Sequence, residues 1–355
     1  RLDEAVVYPS PTVLHAMRQD LEAAATLARR PDVRRRIDFL RAYYLLLDAH
    51  NRLQNGQAGA EDAMLALRVL ASIDAHVSPL HAGHFLPALD EAPGTVEPLS
   101  PEALRALLDA VELTKPRDLT PWRDADDAHL QPWPAAGTNW VADMGANYRY
   151  GPHVMLIHAK SGERLRVTQQ GPSRTEYELT GPEWAVLAQG TAVGEEIVDL
   201  TAGSDGIYRL TFSTRGNRPR IQVENRSAVV KAGGALQHLH PMHRAILYFY
   251  VPRGTREFAI VAKADEPLYL QVFGPHPDAP PILPRTLQKA KVFMEHVVAV
   301  PEGADGSAWR MQLDGEDKKV FLLGIPPLLA SHPARLLIPA GETPNNASWP
   351  DTRKE

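Results

Sequence analysis

The sequence contains no cysteine. That excludes disulfides, thiolate metal sites and cysteine nucleophiles, while the compartment stays open because many exported bacterial proteins share the lack. Long apolar runs are missing too. None approaches the roughly 20 residues of a membrane-spanning helix, and no secretory-signal pattern opens the chain. Charge of one sign is not concentrated: the net charge is -5 and the Lys and Arg residues are spread out, leaving no footprint for nucleic acid or an anionic membrane. G-x-S-x-G, H-E-x-x-H, P-loop and dinucleotide fingerprints are absent. The chain starts at Arg1 rather than Met, so it is expected to be a processed product or a piece of something longer.

What is present is ordinary globular material, 355 residues long, enough for two or three domains. Its 31 prolines sit at element boundaries, which suits a loop-rich β architecture. In the first third, Ser10-Pro11 reads as an N-cap with proline at the first helical position, and Leu14, Met17, Leu21, Ala24 and Ala28 make an apolar stripe. A second helix runs from about Asp32 to the stop signal Asn55-Gly56, a third from about Ala60 to Ala75, and a fourth from Ser100-Pro101-Glu102. Together they predict a helical bundle over 1–115. A Pro-, Asp- and Trp-rich linker follows over 116–137.

The organising stretch lies later, from Ala245 to Gly274. Ile246 to Val251 is apolar on both alternating faces, as in a strand covered on both sides. Pro252-Arg253-Gly254-Thr255 breaks the run and Phe258, Ile260 and Ala262 resume it, so the piece reads as a hairpin; Leu268, Leu270 and Val272 make a third strand. Short β-type runs from Trp140 onward, among them Trp184 to Leu187 and the clean alternation Ile207 to Ser213, recur at sandwich spacing. The fold class is therefore an N-terminal helical bundle followed by an antiparallel jelly-roll-like β-sandwich over 138–275. Further strands over 285–340 complete it or are appended to it, and 341–355 is a polar tail.

Three groups of side chains could carry function. Trp140, Tyr148 and Tyr150, with Asp143, Asn147 and Arg149 beside them, combine aromatic planes with planar polar groups, as glycan sites do; the same pattern describes aromatics that simply pack at a sheet edge. His238, His240 and His243, in HLHPMH, could bind a metal, or could be polar loop residues capping the sandwich. His76, His81 and His84 make a second cluster in a long proline-rich loop, with a core or surface role as the plainer account. Asp124, Asp126 and Asp127, the pair Glu195 and Glu196, and Asp314, Glu316 and Asp317 read as solvated loops rather than the acid and base of a glycosidase. Trp184 and Trp309 read as core. Trp122 and Trp133 read as pins between domains. No catalytic residue is assigned, and no cofactor beyond a metal at the histidines.

Two stretches carry a resemblance. Arg34 to Leu53, RRRIDFLRAYYLLLDAHNRL, resembles the helical segment that follows the catalytic barrel in large bacterial glycoside hydrolases of an uncharacterised family, related to alpha-glucuronidases and beta-hexosaminidases. YFYVPRGTREF at Tyr248 to Phe258, with VPEGADGSAW, GIPPLLA and LLIP between Val300 and Pro339, is similar to the carbohydrate-binding-like sandwich that ends many such proteins. The resemblance implies an accessory, non-catalytic C-terminal region, exported to the periplasm, cell surface or medium. It would bind polysaccharide or oligosaccharide, or brace a catalytic barrel supplied by another chain or by an N-terminal segment of the same precursor. The barrel would precede Arg1, so no catalytic residue carries over. A structural protein of a cell-surface or matrix assembly, and a free-standing lyase or metal-dependent hydrolase, are the alternatives.

Overall fold

The computed structural model describes residues 11–54, isolated residues between 65 and 106, and 124–134, 141–148, 150–171, 174–214, 219–224, 226–232, 244–264, 267–276, 279–288, 294–314 and 318–345. The chain divides into two compact units, 1–118 and 119–355.

In the first unit, α1 (Pro11–Leu27) and α2 (Pro31–Gln54) form an antiparallel pair. Leu14 of α1 is buried with Tyr44 and Leu47 of α2, and Met17 and Leu21 flank them, so the apolar stripe read from the sequence is the face that packs. Arg41 of α2 donates three hydrogen bonds to Glu22 of α1, at 2.9 and 3.2 Å to Oε1 and at 3.2 Å to Oε2. Within the predicted third and fourth helices, Leu65, Arg68, Val69, Ser72, Glu102, Ala103 and Ala106 are helical, and Ala103 N–H donates to Ser100 Oγ at 3.1 Å, the expected cap. The described residues show a helix pair; the packing of four helices into a bundle lies outside them.

In the second unit every strand pairing among the described residues is antiparallel. After a 3-10 turn (Asp124–His129), its strands are β1 (Leu130–Pro132), β2 (Val141–Asn147), β3 (Tyr150–Ala159), β4 (Arg164–Gln170), β5 (Arg174–Thr180), β6 (Val186–Val193), β7 (Glu196–Thr201), β8 (Gly206–Thr214), β9 (Arg220–Glu224) and β10 (Ala228–Lys231). One sheet runs β2-β9-β4-β7 and the other β10-β3-β8-β5-β6. The eight strands from β2 to β9 thus interleave between two layers in the order of a jelly roll. Leu165, Val167, Ile221 and Val223 of one layer share a core with Met155, Ile157, Leu210 and Phe212 of the other.

A second sandwich follows in tandem: β11 (Arg244–Val251), β12 (Glu257–Ala264), β13 (Leu268–Phe273), β14 (Leu283–Gln288), β15 (Met294–Ala299), β16 (Ser307–Asp314) and β17 (Lys318–Leu323), in sheets β11-β16-β13-β14 and β15-β12-β17. The strands after 285 therefore pair with those between 244 and 275, as strands that complete a sandwich would. The predicted hairpin is corrected. β11 and β12 belong to opposite layers, and the Pro252 to Arg256 turn carries the chain across the core. The cause is visible in the packing: Phe249 of β11 and Phe258 of β12 meet edge to face at 5.5 Å, with Trp309 of β16 against Phe258 at 5.4 Å, so both runs point inward at each other. Trp309 is core, as read from the sequence.

The two sandwiches are joined through their outer faces. Val154 and Leu156 of β3 and Val229 of β10 are buried with Tyr248 and Tyr250 of β11 and Ala308 of β16, under a C-terminal segment that contributes Leu336, Leu337 and Ile338. β18 (Leu328–Leu329) returns to pair with β10, and β19 (Leu337–Pro339) pairs with β1. Trp133, expected as an interdomain pin, is buried in this second core beside Tyr250, 6.0 Å away. The predicted linker residues 124–134 are thus part of the β unit. Asp127, expected in a solvated loop, is wholly buried, and its Oδ2 accepts from Lys231 Nζ at 2.6 Å.

Candidate functional site

The jelly roll turns two polar faces outward. On the sheet β2-β9-β4-β7, Arg164, Arg166 and Thr168 alternate with the core residues Leu165 and Val167. Register places Arg166 opposite Asp199 and Thr168 opposite Gln222. The charges there neutralise one another. Arg164 makes a bidentate pair with Asp199, Arg166 reaches Glu224 at 2.7 Å and Glu196 at 3.7 Å, and Arg226 reaches Glu163 at 3.4 Å. The hydrogen bonds from Arg164 hold the Asp199 carboxyl below the usual carboxylate range.

The second face is built differently. On β8, β5 and β6 the inward residues are Leu210 and Phe212, Leu179 and Tyr177, and Ala188 and Ala192. Period two then turns Arg209, Thr211 and Ser213, Thr180, Glu178 and Glu176, and Gln189 and Thr191 outward, in cross-strand rows Gln189–Glu178–Thr211 and Thr191–Glu176–Ser213. Towards β3 this ledge ends where Val154 and Leu156 disappear under the second core. Beyond β6 no further strand pairs with it among the described residues.

At one end of the ledge stands Trp184. Gly181-Pro182-Glu183-Trp184 is a tight turn in which Trp184 N–H donates to Gly181 O at 2.9 Å and Gly181 N–H to Ala185 O at 2.9 Å. Proline at the second position suits such a turn, and the position Trp184 occupies is the left-handed one that glycine normally fills. Its φ is 62°, the one positive value at a non-glycine position among the described residues. For a bulky side chain this conformation costs about 1–2 kcal/mol. The turn is pinned from behind: Pro182 lies so close to Gly206 that a Cβ there would fall 2.9 Å from its ring. The indole remains 44% exposed and sits over the Arg209 guanidinium, whose central carbon is 5.7 Å from the ring centroid. A strained, exposed aromatic beside a cation, an amide, hydroxyls and carboxylates is suited to hold a polyhydroxylated chain, since the indole takes the apolar C–H face and the ledge takes the hydroxyls.

The residues proposed from sequence fall elsewhere. Tyr148 is wholly buried, edge-on to Phe212 at 5.2 Å and to His153 at 5.1 Å, so it is a core aromatic and its assignment as a glycan contact is corrected. Of its neighbours, Asp143 and Asn147 are described only in backbone, paired with Gln222 and Arg220, and Tyr150 only as the partner of Thr214. Trp140 and Arg149 lie outside the described residues, as do His238, His240 and His243 and the cluster His76, His81 and His84. Among the described residues no group of three His, Asp or Glu could hold a metal ion, and no helix is long and apolar enough to cross a membrane. Trp184, read from sequence as a core strand residue, is the functional candidate that reading missed. The signal was its place three residues after Gly181, in a Gly-Pro turn.

No family model, curated protein or solved structure matches the chain. The resemblance to the accessory regions of glycoside hydrolases rests on the sequence stretches alone.

Proposed function

We propose that the tandem β-sandwich unit is a non-catalytic binding module for polysaccharide or oligosaccharide, working as the accessory part of an exported glycoside hydrolase. The observation that carries this reading is Trp184, held in a strained left-handed turn and exposed above Arg209 at the end of a flat polar ledge. Strain of this kind persists where the surrounding structure enforces it, and it clusters at ligand clamps. The jelly-roll layering and the sequence resemblance agree with the same role, as analogy.

The test is binding of the whole chain to a panel of soluble and insoluble polysaccharides, by affinity electrophoresis and pull-down. A retained glycan is expected, with affinity falling at least about tenfold in Trp184→Ala, the loss of one aromatic stacking contact plus its polar neighbours. An unchanged affinity in that variant, or no glycan retained at all, refutes the reading.

A further inference from the structure

Edge strands in a soluble protein are ordinarily guarded by a charge, a proline or extreme shortness, because their free N–H and C=O groups invite another strand. Among the described edges of this chain the rule holds with one exception. β1 and β19 carry Pro132 and Pro339, β2 carries Asp143, β7 carries Glu196 and Asp199, β11 carries Arg244, β14 carries Pro284 and Arg285, β15 carries Glu295, β17 carries Lys318 and Lys319, and β18 has two residues. β6, reading VLAQGTAV over eight residues, has neither charge nor proline. It also exposes large apolar side chains: Val186 is 52%, Leu187 49% and Val193 80% exposed.

We infer that β6 is a dimerisation edge, pairing antiparallel with β6 of a second copy of this chain about a two-fold axis at Gly190. The register follows from the side chains. Centring the axis on Gly190 sets each Leu187 against the other copy's Val193, each Ala188 against Ala192 and each Gln189 against Thr191. Opposed residues then share a face, and Val193, the most exposed apolar residue of the strand, is covered by Leu187. An isologous contact of this kind closes on itself and leaves no strand free to propagate. The axis is perpendicular to the sheet, so the ledges of both copies lie on the same side of one continuous sheet, with a Trp184 towards each end.

The pairing does not depend on what the ledge binds. Size-exclusion chromatography with light scattering on the 355-residue chain should give twice the 39.1 kDa chain mass. Val193→Lys, which installs the missing guard at an exposed position, should halve that mass while leaving the circular dichroism unchanged, and Leu187→Lys at the other end of the same pairing should do likewise. A single-chain mass for the wild type up to its solubility limit overturns the inference. So does a dimer that survives both folded variants, since its contact would then lie elsewhere.

Discussion

The two outward faces of the jelly roll are made from the same kinds of residue and do opposite things with them. On β4, β7 and β9 Arg164 is paired with Asp199, and Arg166 with Glu224 and Glu196. Beside β5, β6 and β8 an aromatic, Trp184, is exposed in a conformation its own backbone disfavours. The difference teaches that polarity alone does not mark a site. What separates the faces is the exposed indole, held in a left-handed turn at the end of one of them.

The largest effect that sharpens this contrast lies at an ion pair that is buried. The Lys231–Asp127 pair has 4% and 0% side-chain exposure, unlike those arginine pairs. Lys231→Met leaves the Asp127 charge buried without that cation. We expect a loss of about 3–5 kcal/mol in chemical denaturation. A loss below about 1 kcal/mol would show that the pair behaves like an exposed one. Next in size is the strain at Trp184. Trp184→Gly should be about 1 kcal/mol more stable than Trp184→Ala, because both lose the indole and only glycine relaxes the left-handed backbone. Equal stabilities would mean that the turn stores no strain. Smallest is the ion-paired face: Arg166→Ala should destabilise by about 0.5–1 kcal/mol and leave glycan retention untouched. Loss of retention in that variant would move the site to the wrong face.

Much of this architecture is legible residue by residue. The stripe Leu14, Met17 and Leu21 packs where helical spacing puts it, Ser100 caps where a serine before Pro-Glu should, and Ile207 to Ser213 alternates as β8 does. The failures share a cause. A turn signal such as Pro252-Arg253-Gly254-Thr255 tells that the chain reverses, but a strand apolar on both faces leaves open whether it returns beside its neighbour or across the core. Tyr148 and Trp184 make the same point from opposite sides. Each is an aromatic at a strand end, and burial falls on Tyr148 because His153 and Phe212 converge on it from other strands. Trp184 escapes burial because a turn locked by Pro182 and Gly206 lifts it clear. Neither convergence is written in the local sequence.

The pairing of β1 with β19, Leu130 opposite Pro339, fastens the start of the β unit to its end. Such a chain resembles a belt whose buckle is threaded last. During synthesis the cover over Val154, Leu156 and Trp133 is completed only when the residues around Leu337 emerge. Among the described residues β1 pairs with β19 alone, so a message cut short anywhere before that point yields a product with its seam open.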